Sequence, residues 1–394
     1  MRLHESETKT GNDLRSFLGE LEKLSMQTEI MEVNSCLINL FTVSGIDESG
    51  VSGFLHSKGS SKKRMKIPMD IMRDCLGADD TLLDELAVRN GHHSPQILVN
   101  IGDLWFFVAD WAMNTLAQRA GCVKSKAFLC KEGAARFHRD GFLEACMYYQ
   151  PSAVTLLYRK AGRAKKLFSA FTPKYGYVDQ YKLVKGILSN MESSLGQAKM
   201  RKWEVTHIFT DACIEFPEKG ASLAKKYDLP DKVMPGIHIH TSDVGESCFM
   251  VTGTIRIGTE YIHIPECIAR IEHERNNEKA LMGLVMERIT PCFEEIGNRL
   301  ANLSHIRIKD PDLTIQEVFD ACGFKRSTCI GSRKSDFILK DQLLGRFTED
   351  CTAYDIVKLF TEIPGSQEIS GSGYRSLDMA RSAAANAIFY PFEN

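Results

Sequence analysis

Positive charge in this chain is gathered in its middle. Residues 119–202 hold 17 Lys and Arg against 5 Asp and Glu, a net +12. Residues 1–118 carry 11 against 17 and residues 203–394 carry 21 against 29, for −6 and −8. A fold must therefore keep the central cations in water or bring carboxylates to them from both flanks, because an uncompensated charge in an apolar interior is too costly. The overall net charge of −2 conceals this division. If the central cations share a face, they form an electrostatic footprint for a polyanion.

At 394 residues the chain is long enough for two or three domains, and 43% hydrophobic residues suffice for a large core. No apolar run approaches 18 residues, so no membrane partner is expected. The polar opening MRLHESETKTGNDLR lacks the apolar segment of a secretory signal. The 12 cysteines are scattered without a C-x-x-C pair. That pattern predicts reduced thiols rather than a disulfide framework.

Residues 13–25 place Leu14, Phe17, Leu18, Leu21 and Leu24 on one helical face. Residues 28–44 read as strand, and SKGSSKKRMK at 57–66 as an exposed basic loop. Helix is expected at 69–91, broken near Gly77, at 103–120 with Asp103 as its cap, and at about 132–147. AVTLLYR and KKLFSAF form a hairpin turning at Gly162, and 178–195 returns to helix. The stretch 203–264 is mostly strand, with one short helix, KGASLAKKYDL. A long helix is expected over 266–304, passing Pro291, with shorter ones at about 314–321, 335–345, 352–363 and 374–389. The reading is α+β: a central antiparallel or mixed sheet built from hairpins, flanked by helices, with a helical C-terminal part. Three parts are expected, at 1–100, 101–304 and 305–394.

The basic hairpin and the helix after it carry the leading functional reading. Arg159, Lys160, Arg163, Lys165, Lys166 and Lys174 supply cations that neutralise phosphates. Tyr158, Tyr175 and Tyr177 supply rings on which unpaired bases stack. Together they would form a groove for nucleic acid, single-stranded by preference. The competing reading is a solvated face balanced by acidic flanks, within one chain or between copies of a homo-oligomer. The 57–66 loop would add phosphate contacts, or stand simply as a surface loop.

His238 and His240 alternate on one strand and share a face; with Asp243 and His263 they are a weaker candidate for a divalent metal. The plainer reading is a polar solvent face opposite Ile237 and Ile239, and no cofactor is expected. Cys267, four residues from His263, lacks a third orienting group and reads as a structural thiol. Gly371-Ser372-Gly373 reads as a loop and helix cap rather than an anion site, since no Rossmann unit precedes it. Walker, H-E-x-x-H and G-x-S-x-G patterns are absent, which lowers the expectation of an enzyme.

Three segments together resemble the phage/plasmid-like protein family of unknown function (domain of unknown function 932). In LLYRKAGRAKKLFSAFTPKYGYVDQYKLV the matching positions are Arg159, Gly162, Arg163, Thr172, Tyr175 and Asp179. In PGIHIHTSDVGESCFMV they are Pro235, Gly236, Ser242, Gly245 and Ser247. TAYDIVKLFTEI and the following helix with Arg375 and Arg381 are similar to the family's C-terminal helix pair. One run departs: Cys267-Ile268-Ala269-Arg270 stands where the family has Cys-Thr-Asn-Gly. The resemblance implies a mobile-element gene expressed in a bacterial host cytoplasm, and brings no catalytic residues. The expected function is nucleic-acid binding, with single-strand binding or annealing in replication or recombination as its setting. The alternatives are a metal-dependent nucleic-acid-processing enzyme and a phage interaction, assembly or anti-defence protein.

Overall fold

A computed structural model describes residues 3–4, 7–87, 96–121, 152–271, 278–322, 343–347, 351–364 and 374–392. In chain order its strands are β1 (Lys9–Gly11), β2 (Thr28–Asn34), β3 (Ile38–Asp47), β4 (Gly50–His56), β5 (Lys63–Pro68), β6 (Ile97–Ile101) and β7 (Leu104–Val108). There follow β8 (Ala153–Ala161), β9 (Ala164–Phe171), β10 (Lys199–Val205), β11 (Thr210–Glu215), β12 (Val233–Thr241), β13 (Phe249–Ile257) and β14 (Tyr261–Ile271). The helices are α1 (Leu14–Gln27), α2 (Asp80–Leu86), α3 (Asp110–Arg119), α4 (Gln180–Leu195) and α5 (Pro217–Tyr227). After β14 come α6 (Glu278–His305), α7 (Pro311–Ala321), α8 (Ala353–Thr361) and α9 (Tyr374–Asn386). The class is α+β.

The strands form two sheets. One is antiparallel throughout, in the order β1-β10-β11-β12-β13-β14. The other has eight strands, β2-β8-β9-β7-β6-β3-β4-β5, and is antiparallel except where β7 runs parallel to β9. Each sheet has its own core. Ile214, Ile237, Ile239, Val251 and Ile255 of the six-stranded sheet pack with Leu183, Ile187 and Met191 of α4 and Ile289 and Phe293 of α6. Phe41, Leu98, Phe106, Leu156 and Phe168 of the eight-stranded sheet pack with Leu82 and Leu86 of α2 and Met113 and Leu116 of α3. Burying one such side chain contributes about 1.5–3 kcal/mol.

Local signals placed several elements as expected. Asp13 caps α1 by accepting from the Ser16 N–H, and Asp179 caps α4 by accepting from that of Lys182. Each cap stabilises its helix by about 1 kcal/mol. Gly162, at φ +59°, turns β8 into β9.

Elsewhere tertiary pairing overrode the local pattern. LWFFV, expected to open a helix at 103, is β7: it closes a tight turn with β6, where the Asn100 side-chain amide donates to the Gly102 and Leu104 carbonyls. The helix begins only at Asp110. Residues 63–66, expected in a loop, form the edge strand β5, and Lys66 reaches the Asp47 carboxylate. The 266–271 stretch extends β14 instead of starting α6. The expected division near residue 100 falls inside β6, whose neighbours β3 and β7 lie on either side of it in sequence. The helices expected at 132–147 and 335–345 lie outside the described residues, apart from the end of the second.

Candidate nucleic-acid interface

Register decides which cations of the β8–β9 hairpin meet water. Arg159 pairs with Lys166 across the two strands and Lys160 with Lys165, so the two pairs occupy opposite faces. Arg159 and Lys166 face inward, each only 1% exposed. Like charges directly opposite one another repel, and both are desolvated. Each is held by a carboxylate from outside the basic segment. Arg159 Nη2 donates to both oxygens of Asp243, at 3.0 and 3.1 Å, and Nη1 to the His207 carbonyl at 3.2 Å. Lys166 Nζ lies 2.6 Å from Glu85 Oε2 on α2. The Phe168 ring lies 4.2 Å from the Arg159 guanidinium carbon.

The tyrosines differ from expectation in the same way. Tyr158 is 8% exposed and packs edge-on to Phe106, while its hydroxyl donates to Glu29. Burial, with the Glu29 carboxylate beside it, pushes the phenol up to about 12. Tyr175 stacks on Phe171 at 3.5 Å and donates to the Asp243 carbonyl at 2.7 Å. Burial raises the Tyr175 and Tyr177 phenols further still. Tyr158, Arg159, Lys166 and Tyr175 therefore serve the interior. Alternation along β8 and β9 puts Arg159 and Lys166 on the face opposite Lys160 and Lys165, whereas Tyr158 shares the Lys160 side and both reach Glu29. Carboxylates of the acidic flanks, Glu29, Glu85 and Asp243, thus reach the basic segment.

The inward residues mark where the sheets join. Residues 242–245, after β12, enter the other sheet's layer. Val244 is buried in that core, and its carbonyl accepts from Trp111 Nε1 at 2.7 Å and Ser169 Oγ at 2.8 Å. Gly245, at φ +83°, stands where a Cβ would lie 2.5 Å from the Phe171 ring. Arg159, Tyr175, Ser242 and Gly245 all meet at this junction.

The outward cations are Lys160, Arg163, Lys174, Lys182, Lys185 and Lys199, all exposed, and Lys165, half-buried; the neutral Tyr177 is half-buried as well. Lys160 bonds to Glu29, whose carboxyl is held below the usual range by hydrogen bonds from Lys160 and Tyr158. Arg163 donates to the Asp74 carbonyl, and Lys182 sits 3.4 Å from Asp179. The sequence centres the site on the hairpin. The structure leaves more of the exposed charge on α4 and the start of β10.

The histidine strand is not a solvent face. His238 is fully buried and His240 and His263 nearly so. His238 Nε2 lies 2.8 Å and His240 Nδ1 3.2 Å from the same oxygen of Asp211, on the neighbouring strand. The His263 ring stacks on His238 at 4.9 Å. Asp243, expected in this cluster, is bound by Arg159 instead, and Asp211, which sequence reasoning missed, stands beside the histidines. The register partner of His240 is Asp211, which only strand pairing reveals. Burial alone would push the Asp211 carboxyl up, but His238 and His240 outweigh it and hold the group well below the usual range. Among the described residues, no three or more His, Cys, Asp or Glu side chains are arranged to hold a metal ion.

Cys267 is buried beneath the Arg288 and Ile289 carbonyls, and its thiol is pushed far up by its hydrogen bond with Cys292 and by burial. A thiol so held is a poor nucleophile. Gly371-Ser372-Gly373 lies outside the described residues. Among those residues no helix is long and apolar enough to cross a membrane. Comparison with protein-family models, curated proteins and solved structures found no match.

Proposed function

We propose that this protein binds nucleic acid, single strands in preference to duplex, through the outward cations of the β8–β9 turn, α4 and the start of β10. The observation that carries this is the run of exposed Lys160, Arg163, Lys174, Lys182, Lys185 and Lys199, opposed over the same stretch by only Asp179 and Glu192. Asp179 is occupied as the α4 cap and by Ser25, and the Glu192 carboxylate accepts from the Ala198 N–H. Phosphates arriving at this surface release counterions from the strand, which supplies the binding free energy. The setting implied by the family resemblance is replication or recombination of a phage or plasmid, with single-strand binding or annealing as the task.

The test is anisotropy of a labelled single strand titrated with protein across a salt series. Affinity is expected to fall with a log–log slope of about −0.7 for each phosphate contacted. Lys182→Glu with Lys185→Glu is expected to flatten that slope by about one unit or more. Absence of binding at low salt, or a slope unmoved by the double charge reversal, overturns the proposal.

A further inference from the structure

Beside the exposed cations, α1, the start of α4 and the start of β10 enclose an open cleft of about 780 Å³. That volume lies within the range of small-ligand sites. The cleft opens beside the first residues of β10, ahead of Trp203, Glu204 and Val205, with which β1 pairs. Tyr181 lines it, half-buried, with its body against the core and part of its ring open. Lys185 Nζ stands 3.2 Å from the Tyr181 hydroxyl and 5.2 Å from the ring centre.

The chemistry around the ring is of three kinds. Arg15 and Lys199 bring two exposed cations to the lining, and with Lys185 they form no ion pair with a described residue. Asn12 and Gln197 add two exposed side-chain amides, each able to donate and accept. Of the carboxylates, Asp13 is committed to the Ser16 amide at the head of α1, and Glu22 stands in solvent as an acceptor for an amino group. A part-exposed aromatic ring, amides able to read a base edge, and cations beside them are together what a nucleotide unit of an unpaired strand requires. A folded duplex, its bases already stacked, cannot offer this.

We infer that this cleft seats one base of a bound single strand on Tyr181, with Arg15, Lys185 and Lys199 taking the adjoining phosphates. The inference rests on the nucleic-acid reading above and adds to it the place where an unpaired base is distinguished from a paired one.

Gly19 makes the test clean. It lines the cleft from α1, and a Cβ built there meets nothing within 4 Å. Gly19→Trp therefore adds a large side chain at the cleft wall with open space at its Cβ, and replaces a poor helix former. Binding of labelled single-stranded DNA, single-stranded RNA and duplex is compared for the full chain, Gly19→Trp and Tyr181→Ala. Each variant is expected to weaken single-strand binding about tenfold or more and to narrow the margin over duplex, with the salt slope unchanged in Tyr181→Ala, where every cation remains. Whichever single strand loses more identifies the polymer. Should Tyr181→Ala fail to fold, Tyr181→Trp gives a second reading: its fluorescence is expected to be quenched on strand binding beyond any change in the parent. Single-strand affinity unaltered in Gly19→Trp, with no added quenching in Tyr181→Trp, overturns the cleft while leaving the cationic surface standing. A parent chain that binds no single strand overturns both.

Discussion

The Arg159 guanidinium and the Asp243 carboxylate, 84 residues apart, meet through one nitrogen and two oxygens at 3.0 and 3.1 Å. They are 1% and 2% exposed. This ion pair ties β8 of the eight-stranded sheet to the segment leaving β12 of the six-stranded one. Removing one partner strands the other in a dry interior, which typically costs about 3–5 kcal/mol. Arg159→Met and Asp243→Leu are each expected to fall in that range by denaturant unfolding. The double variant is expected to recover much of the loss, because two apolar side chains leave no buried charge. Singles within about 1 kcal/mol of the parent would show that the pair does not hold the junction.

Lys166 and Glu85 form an asymmetric pair. The lysine side chain is 1% exposed and the glutamate 21%. Glu85→Gln takes the carboxylate away from a buried ammonium, whereas Lys166→Met leaves a carboxylate that water still reaches. Glu85→Gln is therefore expected to destabilise more, by about 3 kcal/mol against about 1. Unfolding midpoints of the two variants decide it, and the reverse order would refute the assignment.

Asp211 links the histidine strand to pH. Its carboxyl is held below its unfolded value of 3.8 by His238 and His240, against the push of burial. A group with a depressed folded pKa contributes stability that is present above the unfolded value and is lost as pH falls below it. Stability is thus expected to drop steeply on acidification below about pH 4. Asp211→Asn should flatten that limb of the curve. An acid limb of equal steepness in the variant would exclude Asp211 as its source.

Gly245 is expected to tolerate no side chain. Its φ of +83° disfavours L residues, and a Cβ would press on Phe171, which Tyr175 holds in a stacked pair. Gly245→Ala should cost about 2–4 kcal/mol from strain and overpacking together. Thermal unfolding measures it, and a neutral substitution would mean that the 242–245 segment shifts freely.

Part of the candidate surface is legible in the amino-acid sequence. The charge division points to residues 160–202, and Lys160, Arg163 and Lys174 are exposed there as expected. The cleft is not, because Asn12, Arg15 and Gly19 sit in a different part of the chain from Tyr181 and Lys199 and meet only when β1 pairs with β10. Nor does anything local separate Arg159 from Lys160. Both are cations in one strand, and only the covering of one face by residues 85, 207 and 243 sends the first inward.

Elements whose apolar spacing is set within a dozen residues were determined by the sequence alone: α1 behind Asp13, α4 behind Asp179, the hairpin at Gly162 and most of the strands within 203–264. Local periodicity and capping act over a few residues and need no distant partner. Tertiary structure decided the division into two sheets, the strand state of LWFFV, and which charges are buried. Which charges are buried depends on segments 84 and 81 residues apart, as with Arg159 and Asp243 or Lys166 and Glu85, and the strand state of LWFFV on its pairing with β6 and with the distant β9. A short apolar run or a lone cation carries no mark of the partner it will meet.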